Sequence, residues 1–189
     1  TTDPLFANVE VGMYSVFVID VNNCLVEYAD AFEIFEPSSL EASVATTDVD
    51  CFGDASGSIV VSATGGTEAY TYSIGGFGQP SNTFNGVEAG SYTVTVTDNN
   101  GCEYSQNVTI DEPASALSVV VDGFGGQDAD GGFINVTATG GTPSYGYDWT
   151  GTGGFTSPNE DLTGLNAGTY SLTVTDANGC EASITSDVI

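Results

Sequence analysis

Apolar and polar residues alternate in short runs along this chain. Tyr92, Val94 and Val96 alternate with Thr, and Tyr170, Leu172 and Val174 alternate with Ser or Thr. This period of two is the pattern of a half-buried β-strand. Tyr70, Tyr72 and Ile74, then Tyr145, Tyr147 and Trp149, mark one face of a further strand in the same way. No stretch keeps a helical apolar period with caps. "DNNG" (Asp98 to Gly101) and "DANG" (Asp176 to Gly179) read as hairpin turns, because Asn and Gly tolerate the positive φ such turns demand. Short strands with turns every roughly 8–12 residues predict an all-β sandwich.

The runs also repeat. "VGMYSVFVIDVNNC", "AGSYTVTVTDNNGC" and "AGTYSLTVTDANGC" end at Cys24, Cys102 and Cys180, at a constant interval of 78 residues. Such periodicity signals tandem modules. Farther upstream, Gly65-Gly66-Thr67 answers Gly140-Gly141-Thr142, and the Glu-Pro pairs at Glu36-Pro37 and Glu112-Pro113 close successive units. The expected organisation is a truncated repeat over 1–37, then complete repeats over 38–113 and 114–189. In immunoglobulin-like sandwiches a Tyr near the start of the penultimate strand bonds back to upstream backbone. Tyr14, Tyr92 and Tyr170, each two residues after a Gly, fit that place. The fold class expected is therefore tandem immunoglobulin-like β-sandwiches joined end to end.

Composition narrows the chemistry. The chain has 26 acidic residues and no Lys, Arg or His, for a formal net charge of −26. There is no imidazole base and no Schiff-base lysine. There is no cation to clamp phosphate or attract nucleic acid, and an anionic membrane surface would repel the chain. No apolar run approaches the roughly 18 residues of a membrane span. A repeat this small gains from disulfides or neighbour contacts. Four Cys in a chain rich in Thr, Ser and Gly suit an oxidising, extracellular setting. Without Lys or Arg, trypsin-like proteases find no cleavage point.

The run "CFGDASGSIVVSATGGTEAYTYSI", followed by Ala89-Gly90-x-Tyr92, "TDNNGC" and a closing Glu-Pro, resembles the SprB-type repeat of giant surface adhesins from gliding bacteria. The third unit departs by carrying Gly126 where Cys51 stands in the second, and the first reads "VNNC" at its turn. The resemblance implies export by the type IX system, cell-surface display, and a role in adhesion or gliding motility.

Three groups of residues are candidates for more than packing. "DADGG" (Asp128 to Gly132) and "GDASG" (Gly53 to Gly57) place carboxylates among glycines, and Asp128 and Asp130 are the candidate calcium ligands, read against a plain solvated turn. Trp149, Tyr145 and Phe155 could form a sugar-stacking platform, although alternation places Trp149 with the core-facing tyrosines. Phe17 and Ile19 hold outward positions taken by Thr95 and Thr97 in the next unit, which suggests lateral packing.

The cysteines pose a topological choice. Cys51 belongs to the loop after a repeat's first strand, at the end where the Tyr92 strand begins. Six or so residues of strand, about 20 Å, then carry the chain to Cys102 at the opposite end. A disulfide needs Cα atoms within about 7 Å. The expected bridge is therefore Cys51–Cys180 across a junction, with Cys51–Cys102 as the alternative.

The function expected is that of a segment of a long repetitive surface filament or adhesin, a structural stalk without catalysis. Its partners would be neighbouring repeats, with surface polysaccharide or other filament chains as candidates, and neither nucleic acid nor membrane insertion. The alternative is a carbohydrate-binding or accessory β-sandwich of a secreted enzyme.

Overall fold

The structure is a computed structural model that describes residues 5–27, 30–126 and 131–189. The first strands are short: β1 (Gly12–Tyr14), β2 (Phe17–Ile19), β3 (Leu25–Glu27) and β4 (Phe32–Ile34). They form two small antiparallel ladders, β1 with β4 and β2 with β3. Tyr14 is half-buried, but most of their other apolar side chains are exposed: Val18 is 65% exposed and Ile19 64%.

A closed sandwich follows. Its strands are β5 (Glu41–Thr47), β6 (Gly57–Thr64), β7 (Thr71–Ser73), β8 (Thr83–Val87), β9 (Gly90–Thr97) and β10 (Glu103–Ile110). One sheet has the order β5-β6-β8 and the other β10-β9-β7. Alternation sends Ile59 and Val61 from one sheet, and Val94 and Val96 from the other, into a shared core. Tyr72 and Tyr104 flank Val96 in register.

A second sandwich repeats the plan with β11 (Ser118–Gly125), β12 (Gly132–Thr139), β13 (Gly146–Gly151), β14 (Phe155–Ser157), β15 (Leu162–Leu165), β16 (Gly168–Thr175) and β17 (Glu181–Val188). The sheets are β11-β12-β15 and β14-β13-β16-β17. The added edge strand β14 pairs Ser157 with Trp149. Trp149 is fully buried among Ile134, Leu165 and Leu172, and its Nε1–H donates to the Asn159 carbonyl at 3.0 Å. A large ring whose one polar atom is satisfied is an ordinary core anchor. Trp149 thus lies in the core, where alternation places it, rather than on a stacking surface; Phe155 packs edge-on against Tyr170 with centroids 5.2 Å apart, and Tyr145 is half-buried.

All three corner tyrosines bond back four residues. Tyr14 Oη donates to the Glu10 carbonyl at 2.8 Å, Tyr92 to Glu88 at 2.9 Å and Tyr170 to Asn166 at 2.9 Å. These bonds fix where each strand begins, and so fix which end of a sandwich carries the following turn.

Candidate functional site

The two ends of a sandwich are built differently, and the difference creates a junction. At the upper end, Gly65 and Gly66 adopt φ of +73° and +60°, and Gly140 and Gly141 adopt +75° and +59°. Side chains rarely accept that conformation. A Cβ on Gly65 would also collide with the Ser39 carbonyl, and one on Gly140 with that of Ala116. The glycines let the loop lie flat on the segment that enters the repeat, where Gly66 N–H donates to Ser38 O and Gly141 N–H to Ser115 O. Tyr70 and Tyr145 lock the same loop by donating to the Gly65 and Gly140 carbonyls.

The hairpin aspartates complete this clamp. Asp98 Oδ1 accepts the N–H groups of Asn100 (2.9 Å) and Cys102 (2.8 Å), and Oδ2 accepts Thr67 N–H at 2.9 Å. Asp176 repeats the arrangement with Asn178, Cys180 and, at 2.8 Å, Thr142. Both carboxylates are nearly buried, at 5% and 6% exposure. Amide donation, first from Thr67 and Thr142, outweighs desolvation and lowers both pKa values below the ordinary aspartate range. The hairpin alone accounts for two of the three bonds, so the third is what the turn motif did not disclose. Its signal was the recurrence of Gly-Gly-Thr wherever a full Thr-Asp-x-Asn-Gly-Cys turn follows.

The lower end of the first sandwich gathers the loop after β5. Val49 N–H donates to Asp111 O, Asp111 N–H to Asp48 Oδ1 at 2.9 Å, and Gly53 N–H to Glu112 Oε2 at 2.6 Å. This holds Asp50 and Cys51 beside the Glu112-Pro113 linker, facing the upper end of the next sandwich. There Cys51 and Cys180 are joined, with Cα atoms 5.7 Å apart. Asn178 Nδ2 donates to the Asp50 carbonyl at 3.0 Å across the same junction. The alternative pairing is not formed, and Cys24 and Cys102 carry exposed thiols. Around the bridge lies a cavity of about 250 Å³ bordered by Phe52, Leu117 and Glu181. Asn178 is a junction residue that sequence reasoning assigned only to a turn.

Asp128 and Asp130 lie outside the described residues. In the other glycine-rich loop, Asp54 is exposed and its N–H donates to Cys51 O. Among the described residues no three acidic or Cys side chains converge in a way that could hold a metal ion. No helix among them is long and apolar enough to cross a membrane.

Comparison with known proteins adds the following. The family model of the SprB repeat matches residues 43–76, which run from β5 through the Gly-Gly-Thr loop and β7. No curated protein matches the chain. Among solved structures, one described as "Structural basis for Dscam isoform specificity" is 14% identical, with a TM-score of 0.34, over 93% of this chain and 53% of its own. Another, "Crystal structure of tetra-tandem repeat in extending region of large adhesion protein", is 19% identical, with a TM-score of 0.31, over 96% of this chain and 58% of its own. The chain therefore spans little more than half the length of either.

Proposed function

From a chain that carries a SprB-type repeat over residues 43–76, we propose that this is a stalk segment of a long, repetitive cell-surface adhesin or filament that serves adhesion or gliding motility. The repeats are taken as 38–113 and 114–189, with 1–37 as the closing part of a preceding one. The observation that carries the reading is the junction: the lower end of one sandwich meets the upper end of the next through a covalent bridge and the Asn178–Asp50 hydrogen bond. Ends specialised to receive one another suit a linear array. A proline after each linker Glu restricts that Glu to extended backbone, which stiffens the joint.

An extracellular address is supported by the bridge, since disulfides persist in oxidising compartments. The work is mechanical rather than catalytic, and the partners are neighbouring repeats. Surface polysaccharide and neighbouring filament chains are the further partners this reading admits. Calcium, with Asp128 and Asp130 as ligands, stays part of the proposal, since divalent ions would relieve the self-repulsion of a −26 chain.

The test is deletion of whole repeats from the parent gene in the producing cell, with antibody against this segment as the surface probe. The expected result is labelling of intact cells, and adhesion or gliding that weakens as the stalk shortens. Cells that label only after lysis, or that adhere and glide unchanged with the repeats removed, would refute the proposal.

A further inference from the structure

We propose that the Cys51–Cys180 bridge reroutes axial tension around both sandwich cores, so that a pull on the array is carried by two strands that are already extended. The inference rests on the stalk reading for its use and on chain connectivity for its geometry.

The chain enters the first sandwich at its upper end, runs down β5, and reaches Cys51 four residues beyond Thr47. It leaves the second sandwich along β17, which starts one residue after Cys180 and runs to the lower end. Tension applied before β5 and after β17 therefore has a continuous covalent route: β5, the bridge, β17. Everything from β6 to β16 lies inside a loop that the bridge closes over a sequence separation of 129. Both cores are in that loop except for the residues that β5 and β17 contribute and for Leu40 and Val49. Segments inside the loop cannot be drawn out while the bridge holds, because the shorter path is taut first.

The taut path has little length to give. A strand rises about 3.3 Å per residue, close to the maximal reach of about 3.3–3.6 Å. Each of the two strands is also held along its length. β5 pairs with β6 from Glu41↔Thr64 to Thr47↔Ser58, and β17 pairs with β16 from Glu181↔Thr175 to Val188↔Gly168. Tension acts on both ends of each strand, so it stretches the strand rather than peeling it. Without the bridge, the same pull would pass through β6 to β10, the Glu112-Pro113 linker and β11 to β16, and each sandwich would unravel in turn.

The test is single-molecule force spectroscopy of the whole 189-residue chain, unreduced, with the bridge verified by mass spectrometry of linked peptides. With handles at the two termini, no contour from the 129-residue segment should appear before the tether breaks. The variant carrying Cys51→Ser and Cys180→Ser should release on the order of 400 Å more. A second geometry keeps the test decisive if that variant fails to fold. Handles at Glu36 and Ala114 on the bridged chain pull across the closed loop, whose two arms are 114−51 = 63 and 180−114 = 66 residues. Both sandwiches are then loaded in parallel and should unfold together, releasing on the order of 200 Å. Contour from inside the loop under terminal pulling would overturn the proposal. So would resistance in both geometries, which would mean plain mechanical strength. Neither trace depends on what the chain does on a cell, so failure here and failure of the stalk reading are separable.

Discussion

Residues 5–35 and the two closed sandwiches share one local code and differ in everything that code does not contain. Tyr14, Tyr92 and Tyr170 make the same bond to the carbonyl four residues back. Asp20 accepts the N–H groups of Asn22 and Cys24, as Asp98 and Asp176 accept theirs. Yet Val96 and Val174 are fully buried, while Val18, at the same place in the repeat, is 65% exposed. The corner and the turn need only the chain between their own ends. Burial needs a second sheet, and β5-β6-β8 or β11-β12-β15 supplies it only to the closed sandwiches. The strand itself responds: eight continuous residues in β9 and β16 correspond to the broken pair β1 and β2.

The largest way to break this contrast is to empty a closed core. Trp149→Ala removes the largest fully buried side chain of the second sandwich and leaves Asn159 O without its indole donor. A loss of about 3–5 kcal/mol is expected, enough to unfold that sandwich selectively. Calorimetry should then show one transition lost or strongly lowered while that of the β5–β10 sandwich is kept. Near-identical thermograms for variant and parent would mean that Trp149 does not anchor the core.

A smaller change sharpens the comparison at a single repeat position. Val96→Ala should cost about 2 kcal/mol, from two lost methyl groups and the gap they leave between Tyr72 and Tyr104. Val18→Ala, at an exposed site, should stay within about 0.5 kcal/mol. Denaturant midpoints of the two variants measure the difference. Equal costs would show that residues 5–35 bury Val18 in solution against some other part of the molecule.

Much of this fold could be read before the structure, and the parts that could not share one cause. Strand faces and turns follow from alternation and from Asn-Gly chemistry, both of which operate within a few residues. Trp149 was placed correctly by its company with Tyr145 and Tyr147. The Thr67–Asp98 bond spans 31 residues and the Asn178–Asp50 bond 128. Neither polar pair leaves an apolar pattern, so only the joint recurrence of Gly-Gly-Thr with the Asp turn could hint at the first. Nothing in a single repeat hints at the second, because it exists only between repeats. The lateral-packing candidates Phe17 and Ile19 are exposed as expected, but Val18 between them is exposed too, so outward orientation does not set them apart.

The subtlest prediction separates the clamp from the turn. Asp98 and Asp176 hold lowered pKa values because folded backbone amides, first those of Thr67 and Thr142, favour the charged form. Such a group contributes its full stabilisation above the unfolded value of about 3.9 and loses it as pH falls through the lower folded value. Acid should therefore weaken the clamp below about pH 4. Protonating the other carboxylates acts in the opposite sense, since it relieves the self-repulsion of a chain at −26. The informative quantity is thus the difference between variant and parent, not the parent's own acid response. Asp98→Asn or Asp176→Asn replaces one acceptor oxygen with a donor and leaves an amide of the clamp unpaired. Each should lower the melting temperature at pH 7 and show a smaller further loss on acidification than the parent. Asp20 is also lowered, by Cys24 N–H first, but among the described residues it has no partner equivalent to Thr67. Asp20→Asn should accordingly move the melting temperatures of the two sandwiches little at any pH. Melting curves by circular dichroism from pH 7 to pH 3 test the set. If Asp98→Asn and Asp176→Asn track the parent's acid response in full, the two carboxylates contribute no more than the turn does.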